Sequence, residues 1–95
     1  MKHYVLLKLA EGADIDAAER KVRETYEALA AELPFFLEPA VYRCCTSRDS
    51  NAHLMAACRL DSTEHLETYL THPLHLDMAK TLGPSVVGRM TFDHA

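Results

Sequence analysis

A chain of 95 residues in which strand-like alternation gives way to helical periodicity and back again predicts an α+β fold, with helices covering one face of a small antiparallel sheet. Three observations carry this. Both ends of the chain alternate like strands, a strongly amphipathic stretch follows the first strand, and two apolar runs between residues 40 and 60 flank a polar turn. A chain this long buries roughly 65% of the surface its unfolded form exposes, enough for two layers around one core, so residues 1–95 are expected to form a single domain.

From Lys2 to Ala10, His3, Val5, Leu7 and Leu9 fall on one face and Tyr4, Leu6 and Lys8 on the other, as in a half-buried strand. Gly12 breaks the strand, and Asp14 is placed to cap a helix. Ile15, Ala18, Val22, Tyr26, Leu29 and Leu33 then recur every three or four residues as far as Pro34. After the connection Phe35-Phe36-Leu37-Glu38-Pro39, two strands are expected over 40–47 and 53–60. Arg48-Asp49-Ser50-Asn51 joins them as an antiparallel hairpin. Ser62 is a suitable N-cap for a second helix through Leu66, Tyr69 and Leu70. Pro73 interrupts that helix where a further piece carrying His75, Met78, Ala79 and Leu82 can begin. Gly83-Pro84 ends this piece, and a last strand is expected from Ser85 to Asp93.

The order β-α-β-β-α-β is the ferredoxin-like arrangement, a four-stranded antiparallel sheet with both helices on one face. The opposite face would expose Leu6 and Val87, with Met55 or Val41 as further candidates. Such a patch is rare on a lone chain, so a second copy is the expected cover and a homodimer the expected state.

Composition excludes several classes. Hydrophobic residues at 48% and charged residues at 25% fit a globular chain and exclude disorder, collagen and coiled coil. A net charge of -4, a pI near 5.8 and the lack of any Lys/Arg cluster leave no field for phosphate backbones, so nucleic acid is not an expected partner. No apolar run approaches the ~20 residues that span a bilayer, and the opening segment carries no clear cleavage site, so no membrane and a cytoplasmic location are expected. Cys44, Cys45 and Cys58 form an odd set with two members adjacent. This suggests neither a disulfide framework nor a zinc site, and all three are expected as buried thiols.

Polar residues that lie within the apolar pattern mark the candidate site. His3 is in line with Val5 and Leu7, Tyr26 with Val22 and Leu29, Tyr69 with Leu66 and Leu70, and His75 with Met78, Ala79 and Leu82. One inward tyrosine means little, but two histidines and two tyrosines together point to a polar-lined cavity, because buried polar groups need partners. His75 falls just after the break at Pro73, where unpaired amides and the helix dipole disfavour added positive charge, so a neutral imidazole is expected. Such a base beside a tyrosine hydroxyl is a coherent acid–base pair. The same residues also suit a packed core with satisfied hydroxyls. His72, His75 and His3 lack a carboxylate or cysteine placed to complete a metal site, so no metal is expected. His53, His65 and His94, and Asp77 and Lys80 on the outer helix face, are expected to serve solubility alone.

Lys2-His3-x-Val5-x-Leu7-Lys8 and Tyr69-x-x-His72-Pro73-x-His75 resemble the two signatures of the stress-responsive A/B barrel (Dabb) family, and the likeness runs almost end to end. The resemblance implies a dimeric α+β barrel made by two sheets face to face, with a pocket in each subunit between sheet and helices. One member of that family, a plant polyketide cyclase that makes olivetolic acid, uses a pocket histidine and tyrosine. By resemblance His75 would be the base and Tyr69 its partner, with His3 and Tyr26 lining the cavity; Val5 and Leu7, on the same strand face as His3, are expected as further ligand-binding residues. Most relatives with this signature have no established reaction, so the motif alone does not assign one. The chain departs from the family at Phe35-Phe36, where a glycine is common, and the bulky pair is expected to narrow the pocket mouth.

The favoured reading is a dimeric small-molecule-binding or stress-associated protein with no defined reaction and no cofactor requirement, its ligand partly apolar. One alternative is a cofactor-independent polyketide cyclase or lyase with His75 as general base. Another is a monooxygenase-like or haem-handling barrel, for which the chain carries no diagnostic motif.

Overall fold

Alternation in the opening segment produces strand β1 (Lys2–Leu9), and Asp14 caps helix α1 (Ile15–Glu32) by accepting from the Ala17 amide at 3.0 Å. The computed structural model describes residues 1–95 and continues with β2 (Phe36–Arg43), β3 (Leu54–Leu60), α2 (His65–Leu70), α3 (Pro73–Leu82) and β4 (Val86–His94). All strand pairs are antiparallel in the order β2-β3-β1-β4, so β1 and β3 are central and β2 and β4 are edges. This is the ferredoxin-like α+β fold that the element order predicts.

The core lies between sheet and helices. Leu7 and Leu9 of β1, Val22, Tyr26 and Leu29 of α1, Phe36 and Val41 of β2, and Cys58 and Leu60 of β3 are all buried there. Met78 and Leu82 of α3 close it from above. Val41 therefore belongs to the covered face, not to the bare one where it was a candidate; it pairs with Ala56, which is buried on the same side. The bare face carries Leu6, Tyr42, Met90 and Phe92, each exposed. Tyr4 and His94 stack there, with the Tyr4 hydroxyl 3.1 Å from His94 Nε2.

Beyond one-residue shifts at other strand ends, both ends of β2 and the start of α2 differ from the sequence expectation. β2 begins at Phe36, four residues early, and accommodates Pro39 because it is an edge strand with an irregular register between Leu37 and Ala40. Glu38 takes a positive φ of 51° at that irregularity. β2 also stops at Arg43, so Cys44 and Cys45 leave the sheet and are exposed; only Cys58 is a buried thiol. Ser62 does not cap α2 directly. Its hydroxyl accepts from the Glu64 amide at 3.2 Å in the turn before His65.

Candidate functional site

The helix break at Pro73 is the local device that shapes the site. Proline at the first helical position needs no amide partner, and the His72 side chain caps α3 by accepting from the Leu74 amide at 3.1 Å. The chain thus turns between α2 and α3, placing Tyr69 on one side of the corner and His75 on the other. Beneath this corner, over the β1–β4 half of the sheet, lies a cleft of about 470 Å³. His3, Val5, Leu7, Tyr26, Tyr69 and His75, the six residues expected at the site, all line it.

Tyr69 is the hub. Its ring meets His75 edge-on at 4.8 Å and His3 at 5.6 Å, and its hydroxyl is 2.9 Å from that of Tyr26. Both tyrosines are 1% exposed, and burial drives both hydroxyls well above the usual phenol range. One of the two hydroxyls donates to the other, which leaves a single phenolic proton without an acceptor in the chain.

His75 donates from Nδ1 to the Leu70 carbonyl at 2.9 Å, which leaves Nε2 as the lone-pair nitrogen of the neutral ring. Burial, more than any charge, holds the imidazole below its ordinary value; Arg89 and His3 add to that effect. The expectation of a neutral His75 therefore holds, but desolvation is its main cause. His3 donates from Nδ1 to Asp93 Oδ1 at 2.5 Å, so a carboxylate does meet this histidine, contrary to the sequence reading. His72 is not part of the cleft, because Nδ1 caps α3 and Nε2 faces Glu32 at 3.4 Å. No cluster of three or more His, Cys, Asp or Glu side chains is placed to hold a metal.

Other expectations are revised. Phe35 and Phe36 do not narrow the cleft: Phe36 packs into the core against Tyr26 and Tyr69, and Phe35 stacks on His65 at 4.0 Å. His53 is structural, its Nδ1 accepting from the Leu9 amide at 2.9 Å where β1 leaves regular pairing. His65 pairs with Asp61, and Asp77 reaches Lys21 at 2.6 Å across α1 and α3.

The sequence reading missed Arg89, Thr91 and Asp93 of β4, which form one wall of the cleft. A bulge explains the omission. Val86 stands opposite Leu9 and Gly88 opposite Lys8, so one extra residue reverses the alternation, and Arg89, Thr91 and Asp93 come to lie opposite Leu7, Val5 and His3. Gly88 suits this place, since a β-carbon there would come within 3.3 Å of Lys8.

Fold and cleft together define a ferredoxin-like α+β chain with a polar-floored pocket between sheet and helices. The chain belongs to the stress-responsive A/B barrel domain (Dabb) family, whose family model matches residues 1–95. Among solved structures it is similar to a dimeric protein of unknown function from Bacteroides fragilis, at a TM-score of 0.84 and 23% identity over 98% of this chain and 92% of that one. A dimeric ferredoxin-like protein from Thermobifida fusca is similar at a TM-score of 0.81 and 19% identity, over 99% and 88% of the two chains. Hydroxynitrile lyase from Passiflora edulis follows at 0.77 and 13%, over 98% and 89%. At these identities the likeness is one of fold. No curated protein matches in sequence. No helix is long and apolar enough to cross a membrane.

Proposed function

We propose that residues 1–95 form one domain that pairs with a second copy through its bare sheet face and binds a small, partly apolar molecule in the cleft of each subunit. One observation carries the binding reading: two tyrosine hydroxyls and two imidazoles converge on a hollow whose other walls are mainly apolar. Such a site holds the body of a ligand by burial and its head by a few directed hydrogen bonds. The dimeric state described for the Bacteroides and Thermobifida structures supports the pairing, as does the exposure of Leu6, Met90 and Phe92. A part in stress responses, which the family's name suggests, belongs to the same proposal.

Thermal denaturation with a panel of aromatic and polyketone compounds tests it. At least one compound should raise the melting temperature of the native chain and fail to do so in Ala79→Phe, which fills the cleft from an exposed lining position. A panel without effect would sink the reading.

A second reading is favoured by His75, whose free Nε2 and lowered proton affinity suit a general base, with Tyr69 or Tyr26 donating to the developing oxyanion. The hydroxynitrile lyase on the same fold is compatible with this chemistry but does not assign it. On a poly-β-ketone substrate, His75→Ala should lower turnover by about 100-fold or more while leaving the fold intact.

A further inference from the structure

We propose that Arg89 makes the cleft selective for an acid: its ligand is a small, partly apolar carboxylate, held by the guanidinium at the strand edge with its body running in toward the tyrosine pair. This rests on the cleft being a ligand site and adds the chemical class of what enters it.

Four observations support the assignment. Arg89 lines the cleft from β4, opposite Leu7, on the side where the edge strand leaves the site open to solvent. Its guanidinium forms no ion pair, a state it shares with Lys8, Arg20, Arg48 and Lys80, and of these five side chains it alone lines the cleft. The one acid in the lining, Asp93, is already engaged by His3 at 2.5 Å, so it does not occupy Arg89. Finally, the charge of Arg89 is felt on the cleft floor: it opposes the burial-driven rise at Tyr69 and adds to the burial-driven fall at His75.

An unpaired guanidinium at the solvent-facing mouth of an apolar-walled cleft is an acceptor-seeking group whose charge acts at short range on a ligand seated beside it. Its planar fork matches a carboxylate with two parallel hydrogen bonds, a match that a neutral amide or ketone cannot make. Val5, Leu7, Met78 and Leu82 lie along the cleft for the ligand's apolar part. The spare phenolic proton of the Tyr26–Tyr69 pair and His75 Nε2 are left for a polar group at the far end.

The test is calorimetric titration with 2-naphthoate and its uncharged counterpart 2-naphthamide, on the native chain, Arg89→Gln and Ala79→Phe. The native chain should bind the acid about 10- to 100-fold more tightly than the amide. Arg89→Gln, at an exposed edge position that leaves the fold undisturbed, should erase that preference and keep the amide affinity. Ala79→Phe should lose both ligands. Equal affinities in the native chain, or a preference that survives Arg89→Gln, would overturn acid selection while the cleft stands as a ligand site. If neither probe binds, or if binding survives Ala79→Phe, the cleft reading falls as well.

Discussion

His75 and Tyr69 are separated by five residues of chain, one of them a proline, yet their rings lie 4.8 Å apart. Tyr69 helps remove water from the imidazole, and desolvation is the main reason that His75 resists protonation. A measurable linkage follows. The unfolded chain takes up a proton here near the ordinary value of 6.5, and the folded chain only at lower pH. Between those values the unfolded state binds more protons, so His75 makes folding less favourable as pH falls through the ordinary value, and the loss levels off below the folded one. The melting temperature of the native chain relative to His75→Gln should therefore be higher near pH 8 than near pH 5. A constant difference would mean that the ring is solvated in the folded state. Thiols show the same logic: Cys58, pushed up to about 12 chiefly by burial, is inert, while Cys44 lies outside the sheet with its thiol lowered by hydrogen bonding to Thr46.

Among the elements, the α2–α3 corner decides whether there is a cleft. His72 caps α3 through its own side chain and Pro73 follows at the first helical position, so the His-Pro pair in the motif has a structural task independent of any chemistry. Replacing His72 by alanine should cost about 1 kcal/mol, read from urea unfolding, and His72→Asn should retain most of the stability. A neutral His72→Ala would show that the cap contributes nothing. The strands illustrate the opposite situation. β1 and α1 are legible because each repeats its own period over many residues. β2 is not, because Glu38-Pro39 reads as a break and survives only because an edge strand tolerates a missing amide and a bulge.

For the whole molecule, the bare sheet face is the feature with the largest consequence. Phe92 is 65% exposed there and Met90 69%, next to Leu6 and Tyr42. In a two-fold pair each such ring is buried once per subunit, at about 1.5–3 kcal/mol for a side chain of this size. Phe92→Lys should therefore weaken the pair on the order of 100-fold and yield a folded monomer in sedimentation experiments. A native chain that sediments as a monomer at low concentration would refute the pairing. By itself the sequence determined the element order, the inward set His3, Val5, Leu7, Tyr26, Tyr69 and His75, and the bare face with Leu6, because periodicity, caps and breakers act over a few neighbouring residues. Only the tertiary structure decided that Val41 is covered, that Cys44 and Cys45 are exposed, and that Arg89, Thr91 and Asp93 wall the cleft. Those outcomes depend on where one strand ends and on the bulge at Gly88, which pairing with a distant strand imposes and no local pattern encodes.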